Sequence, residues 1–235
     1  MNRGQQRLIA FGEVLLCSSL PTQLAIALLL GLAGMSARNE AGQLSLPYVF
    51  VVTLADTVLL VGLMVFFTRR RGESVAALWL GHRPIAREAA RGALLVVPIF
   101  MLVVVLLNAL RMIAPGLHNV EVNPLEQMAT GGPFDALMFG VVVIVAGGLR
   151  EELVRAFLLK RFEQDLGGAA VGVVVLSTAF GLGHYDQGWD AVITTGVLGA
   201  MWAVIYLRRR SSIAPIVSHA GFNSLEVIRI AASGL

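Results

Sequence analysis

Residues 141–162 decide the fold class: they read VVVIVAGGLREELVRAFLLKRF, an apolar run that carries Arg150, Glu151, Glu152 and Arg155. An ionisable side chain at mid-bilayer costs about 2.5–3.5 kcal/mol on insertion scales, so a residue of this kind needs a reason. On a helix, Glu151 is i,i+4 and Glu152 is i,i+3 to Arg155, so one arginine can hold both carboxylates. The segment is therefore either a functional site in a membrane helix or a cytoplasmic helix end with ordinary salt bridges.

The composition of the whole chain indicates a membrane protein. Of 235 residues, 57% are hydrophobic and 14% are charged, whereas a soluble domain carries about 25% charged residues. The basic residues form short clusters between apolar runs, so we expect no nucleic-acid partner. The single cysteine, Cys17, excludes an internal disulfide and is interpreted as a packing residue. We predict one integral membrane domain over residues 1–235.

Seven stretches have the length and apolar character of a membrane span, which takes about 20 residues. They are residues 11–35, 46–68, 90–113, 134–160, 169–185, 189–207 and 212–233. Residues 73–82 are too short to span and are predicted to lie along the interface, and residues 114–133 are predicted to form a loop. The predicted fold class is all-α, a polytopic transmembrane helical bundle with about seven spans plus one interfacial amphipathic helix.

The distribution of basic residues predicts the orientation of this bundle. With the N-terminus inside and seven spans, inside segments hold 13 of the lysines and arginines and outside segments hold 3. Cytoplasmic segments of membrane proteins carry the excess of basic residues. We therefore expect a multi-pass protein of the cell membrane, in a bacterium, with a cytoplasmic N-terminus.

Two further apolar spans carry histidines. The predicted fifth span ends FGLGHY, with Phe180 and His184 one turn apart, and the seventh holds His219 and Asn223 one turn apart. Gly221 beside them would allow close helix approach. Each polar residue alone is explained as a satisfied core group. Together with the acids at 151 and 152, they form a set that can activate water and stabilise an oxyanion.

The three groups, taken in order, resemble the motifs EExxxR, FxxxH and HxxxN of the CPBP intramembrane protease family. This family includes the type II CAAX prenyl endopeptidases, bacterial Abi proteins and lysostaphin-resistance-like proteins. The resemblance covers residues 134–226, which we take as the catalytic motif region. A local departure is Ala156-Phe157 after the arginine, where many members have a small residue.

The resemblance implies a role for each catalytic residue. Glu151 would polarise the attacking water, with His184 helping to position it, and His219 with Asn223 would bind the oxyanion of the scissile peptide. A catalytic zinc takes three protein ligands and leaves one position open, and His184, His219 and Glu151 could supply them. No HExxH sequence is present, so the preferred interpretation is a glutamate-activated water, with Zn²⁺ left open.

The resemblance also implies supporting residues. Glu152 and Arg155 would fix Glu151, and Phe180 would pack beneath the site. Outside the motifs, Asp56 lies midway along the second predicted span and needs a partner. Its functional interpretation is a site or proton-relay acid, and its structural interpretation, which we favour, is a hydrogen bond between helices. Glu226, one turn beyond Asn223, is a further candidate support.

These observations favour an intramembrane endopeptidase that cleaves a membrane-associated protein or peptide. The alternatives are a small ion-coupled membrane transporter, with Asp56 and the glutamate pair as coupling sites, and a non-catalytic membrane immunity protein. Broken helices and repeat symmetry would support a transporter. The intact set of motif residues argues against a family relative that has lost activity. The substrate and the oligomeric state are left open.

Overall fold

The computed structural model describes residues 2–40, 42–120, 123, 128 and 131–233. In these ranges the regular secondary structure is helical. The β-structure among the described residues is one isolated bridge between Arg38 and Leu44. The helices are α1 (Arg3–Leu16), α2 (Leu20–Leu32), α3 (Leu46–Arg70), α4 (Val75–Trp79), α5 (Ile85–Ile113), α6 (Pro133–Val143), α7 (Glu151–Asp165), α8 (Ala169–Leu182), α9 (Trp189–Arg209) and α10 (Ile213–Ser233). The predicted all-α class is confirmed.

Among the described residues, three helices are long and apolar enough to cross a membrane: α3, α5 and α9. They correspond to the predicted second, third and sixth spans. A fourth candidate arises if α1 and α2, which are bent by 42° at their junction, form one span together. The structure thus supports three or four spans, and the predicted number of about seven is not confirmed.

The other predicted spans are too short or too polar to qualify by length and composition. The stretch 134–160 is divided into α6, a π-helical segment at Ile144–Arg150, and α7. Helix α8 has 14 residues, which is short of the length of a bilayer crossing. Helix α10 has 21 residues, but it carries His219 and Asn223 along its length.

The first predicted span, 11–35, is interrupted at Ser19. This residue has a φ of 69°, a left-handed conformation that does not continue a helix, and Pro21 lies in the first turn of α2. The stretch 73–82 contains the short helix α4, and its position along the membrane interface stays a prediction. The predicted loop at 114–133 contains a 3₁₀ turn at Pro115–Leu117, and much of its remainder lies outside the described residues.

Helix α10 is the element around which the site is assembled, because it packs against α5, α6 and the π-helical segment. Gly221 allows this packing: a Cβ there would lie 2.5 Å from Cγ2 of Val96 in α5. The predicted close approach at Gly221 is therefore confirmed. Helix α8 packs closely against α9. Trp202 of α9 lies in an apolar cluster with Ile99 and Leu198.

One end of the bundle carries a network of ion pairs between helices that are distant in sequence. Arg161 of α7 is fully buried and pairs with Glu13 of α1 at 2.7 Å and with Glu73 at 2.8 Å. Partial burial raises the pKa of the Glu73 carboxyl, but hydrogen bonds from Gln164 and Arg161 outweigh it and hold that pKa below its ordinary value. Arg71 at the end of α3 joins the same network through Glu13. The predicted cytoplasmic basic clusters at 69–71 and 160–161 therefore meet in space.

Candidate active site

The π-helical segment Ile144–Arg150 places the glutamate pair. A π turn holds one residue more than an α turn, and such segments are frequent at functional sites. Here it contains Gly147 and Gly148, which face α10. A Cβ at 147 would lie 2.2 Å from Nδ2 of Asn223, and one at 148 would lie 2.5 Å from Cβ of Ala220. Glycine at both positions brings the segment, and the acids that follow it, directly against α10.

The centre of the site is a contact between α7 and α10. Nδ1 of His219 lies 2.8 Å from Oε1 of Glu152, and the same carboxylate accepts a hydrogen bond from Arg155. All of these side chains are buried: Glu152 is 2% exposed, His219 4% and Arg155 6%. A buried charge is tolerated when it is paired and hydrogen-bonded. The predicted link of Glu152 to Arg155 is observed, and the further partner of Glu152 is His219.

Glu151 occupies a different environment from its neighbour. Its side chain is 26% exposed, and its Oε2 lies 3.9 Å from Nε2 of His219. This separation is too long for a hydrogen bond but short enough for one water molecule to bond to both atoms. The two acids are thus distinguished by the structure: Glu152 is enclosed against one nitrogen of the imidazole, and Glu151 faces the other.

Aromatic rings fix the plane of the His219 imidazole. Trp202 stacks on it with ring centroids 3.7 Å apart and an interplanar angle of 16°. Nε1 of Trp202 donates a hydrogen bond to Oγ of Ser218 at 3.1 Å, which sets the indole in place. Phe180 meets the imidazole edge-on at 6.2 Å, and the Arg155 guanidinium lies 4.8 Å from the Phe180 ring centroid. The predicted packing of Phe180 at the site is observed.

The remaining motif residues adjoin this centre. Asn223 lies one turn beyond His219, and its Nδ2 donates to the carbonyl of Val143 at 3.3 Å, next to Gly147. His184 follows the end of α8, where its Nδ1 lies 2.8 Å from the carbonyl of Phe180 and its ring packs against Phe180 at 4.8 Å. Within the described residues, His184 forms neither a hydrogen bond nor an ion pair with Glu151, and it is linked to the site through Phe180.

The residues that the sequence suggests for zinc are not arranged as a ligand set in this structure. In the described part of the chain, no group of three or more His, Cys, Asp or Glu side chains is placed to hold a metal ion. His184, His219 and Glu151 therefore do not fit a three-ligand zinc site in this arrangement.

Asp56 has the partner that its position requires. Its Oδ2 lies 2.9 Å from Nη1 of Arg150, and Thr22 and Gln23 of α2 donate to it at 2.5 and 3.2 Å. Asp56 is fully buried. The favoured sequence interpretation, a hydrogen bond between helices, describes these contacts. Glu226, by contrast, pairs with Arg229 one turn further along α10.

Two contributors to the site are absent from the sequence interpretation. Trp202 looks like an ordinary apolar residue of a membrane helix, and no sequence pattern pairs it with His219. The role of Gly147 and Gly148 could have been predicted from the sequence. Adjacent glycines in an apolar run, directly before the charged residues at 150–155, indicate a close approach of the backbone to a neighbouring helix.

A comparison with known families matches the part of the chain that contains the site residues. Residues 133–225 match the family model described as type II CAAX prenyl endopeptidase Rce1-like. This range contains the glutamate pair, Phe180, His184, His219 and Asn223. The match supports the assignment of this region to the CPBP/CAAX protease family, and the long apolar helices agree with a membrane protein. No curated protein and no solved structure matches the chain.

Proposed function

We propose that this protein is an intramembrane endopeptidase that cleaves a peptide bond in a membrane-associated protein or peptide. The observation that carries the proposal is the placement of His219 between two unlike glutamates. One of its nitrogens contacts the buried Glu152 at 2.8 Å, and the other faces the partly exposed Glu151 at 3.9 Å. The family match over residues 133–225 supports the same class of reaction.

The first step is the activation of water by Glu151. A water molecule between the Glu151 carboxylate and Nε2 of His219 gives one proton to Glu151, and its oxygen attacks the carbonyl carbon of the scissile peptide. General-base catalysis of this kind contributes about 10²–10⁴-fold to a rate. The partial exposure of Glu151 leaves room for water and substrate, which the enclosed Glu152 lacks.

The second step is stabilisation and collapse of the tetrahedral intermediate. His219 acts in its doubly protonated form, with Nδ1–H donating to Glu152, so that its Nε2–H and the Nδ2–H group of Asn223 that does not bond Val143 both donate to the oxyanion. Loss of one such donor typically costs about 10²–10³-fold in kcat. The carbon–nitrogen bond then breaks, and Glu151 returns its proton to the leaving amine. His184 assists in positioning the water, and Glu152 with Arg155 holds the imidazole in place.

We further propose that the chain is a multi-pass protein of the bacterial cell membrane with its N-terminus in the cytoplasm. The count of basic residues carries this orientation. The ion pairs of Arg71 and Arg161 with Glu13 support it, because they gather separate basic clusters at one end of the bundle. We retain seven spans as a proposal, in which α1 with α2, α6 with α7, α8 and α10 cross the bilayer in addition to α3, α5 and α9.

The proposal is tested with purified protein in liposomes and a fluorogenic peptide anchored to the same membrane. Wild-type protein is compared with Glu151→Gln, and Glu163→Gln serves as the matched control in the same helix. We expect cleavage by the wild type and by the control, and a loss of about 10²–10⁴-fold for Glu151→Gln. Equal cleavage by wild type and Glu151→Gln would overturn the assignment.

A second arm of the experiment addresses the substrate class. Two reporters carry the same peptide, one anchored by a C-terminal prenyl group and one by an apolar peptide helix. Cleavage of the prenylated reporter alone would place the protein with the prenyl endopeptidases that its family model describes. Cleavage of both would indicate that the membrane anchor, rather than the lipid modification, is recognised.

A further inference from the structure

Three elements that lie far apart in sequence meet at a buried ion pair beside the site. Asp56 is in the middle of α3, Arg150 is the last residue of the π-helical segment, and Thr22 and Gln23 are in the first turns of α2. The side chain of Asp56 is fully buried and that of Arg150 is 10% exposed, with 2.9 Å between Oδ2 and Nη1. Neither Asp56 nor Arg150 belongs to the three motifs of the family.

The position of Arg150 links this pair to the reaction. The π-helical segment ends at Arg150 and α7 begins at Glu151, so the two residues are joined by one peptide bond. A π turn contains one extra residue, and loss of that residue into an α-helical register would rotate the following helix by about 100° relative to α6. Such a rotation would turn the Glu151 carboxylate away from His219.

We infer that Asp56 and Arg150 are positioning residues, whose ion pair holds the π-helical register and thereby aims Glu151 at His219. Asp56 holds Arg150 from α3, and the hydrogen bonds from Thr22 and Gln23 fix Asp56 in turn. Ile144–Ala146 have apolar side chains, and the glycines at 147 and 148 pack against α10 without a side chain of their own. Besides this packing, the ion pair of Arg150 with Asp56 is a polar side-chain contact that holds the turn. The expected loss of kcat rests on the proposed function. The expected effect of the ion pair on the π-helical turn rests on the structure alone.

The test compares Asp56→Asn, Arg150→Lys and the charge reversal Asp56→Arg/Arg150→Asp with the wild type. For Asp56→Asn we expect kcat to fall about 100-fold, as for a reacting group displaced by about 1 Å, while KM stays within about twofold. Arg150→Lys, which keeps the charge, retains most of the activity. If the ion pair is responsible, the charge-reversed double variant should have a kcat at least about tenfold higher than that of Asp56→Asn.

The matched control is Glu88→Gln, which breaks another buried ion pair, between Glu88 of α5 and Arg209 of α9. We expect a lower Tm for the control and an unchanged kcat. A kcat loss in Glu88→Gln equal to that in Asp56→Asn would show that general destabilisation explains both, and would overturn the inference. Wild-type kcat in Asp56→Asn would overturn it as well.

A measurement independent of catalysis separates this inference from the proposed function. Hydrogen–deuterium exchange of the amides at 144–151 reports the stability of the π-helical turn directly. We expect faster exchange there in Asp56→Asn and wild-type exchange in Glu88→Gln. If the wild type cleaves no reporter but amides 144–151 still exchange faster in Asp56→Asn, the proposed function is wrong and the inference that the ion pair stabilises the π-helical turn is supported. Unchanged exchange in Asp56→Asn would refute the inference that the ion pair stabilises the π-helical turn.

Discussion

Substitution of Gly147 by alanine tests the geometry of the site most sharply, because it adds a single methyl group at the contact with α10. The new Cβ would lie 2.2 Å from Nδ2 of Asn223 and 3.5 Å from Nε2 of His219. An ordinary contact is about 3.5–4.0 Å, so the Asn223 amide must move by more than about 1 Å. Asn223 then loses its hydrogen bond to the Val143 carbonyl and its position for donating to the oxyanion.

The magnitudes predict a catalytic defect with a small change in stability. Overpacking costs about 1–3 kcal/mol, and alanine in place of glycine in a helix returns about 0.5–1 kcal/mol. A displacement of about 1 Å at a reacting group lowers a rate about 100-fold, or about 2.7 kcal/mol in activation free energy. We therefore expect Gly147→Ala to lose about 100-fold in kcat and to unfold within a few degrees of the wild type.

The assay is cleavage of the membrane-anchored reporter, with thermal unfolding measured on the same preparation. Gly140→Ala is the control, because a Cβ at that position meets nothing within 4 Å. The control should keep its kcat and gain about 0.5–1 kcal/mol of stability. Wild-type kcat in Gly147→Ala would refute the assignment of Asn223 to the oxyanion.

Three further outcomes follow from the structure. Gly148→Ala should lower the free energy of unfolding by about 1–3 kcal/mol in chemical denaturation, because the new Cβ meets both Cβ and the backbone Cα of Ala220, which no side-chain rotation relieves. Trp202→Leu should lower kcat more than it raises KM in the reporter assay, since the stacked indole holds the His219 plane, and equal effects on both would contradict that role. Glu73→Gln should be less stable than the wild type at pH 7 in thermal unfolding. Because the pKa of Glu73 is lowered on folding from its ordinary value of 4.5, this difference should begin to shrink as the pH falls below about 4.5 and should be lost as the pH falls through the lower pKa of the folded state.

Local signals in the sequence predicted the fold class, which the structure confirms, and a set of candidate site residues, several of which the structure brings together. Apolar length and the low charge content indicate an all-α membrane bundle, and these signals depend only on composition. Spacing placed Glu152 and Arg155 on one helix face, and the structure shows them bonded. The motif order at 151–155, 180–184 and 219–223 indicated which helices would meet. Each of these inferences could be made from the sequence of one segment, without knowledge of its contacts with the others.

The number of spans was less accessible, because hydropathy alone does not show where a helix breaks. The left-handed Ser19 and the adjacent Pro21 divide the first predicted span, and proline near serine in an apolar run was the available signal. The fourth predicted span reads as one apolar stretch, yet a π-helical turn divides it before Glu151. Such a turn depends on tertiary contacts such as that of Arg150 with Asp56.

Partners across helices were the part that the sequence left undetermined. Nothing in the spacing of α7 pairs Glu152 with His219, since the two residues are on different helices and the crossing geometry sets their contact. The stacking of Trp202 on the imidazole is of the same kind. These contacts divide the roles of the two glutamates.

The central claim is that Glu151 and His219 act on the same water as one unit, and a double-mutant cycle tests it directly. The cycle compares Glu151→Gln, His219→Gln and the double variant with the wild type, by kcat/KM on the membrane-anchored reporter. Residues that act together in one step show strongly non-additive effects. The account predicts that the double variant is no slower than the slower single variant. A double variant that loses the product of the two single effects, or a Glu151→Gln that cleaves at the wild-type rate, would contradict it.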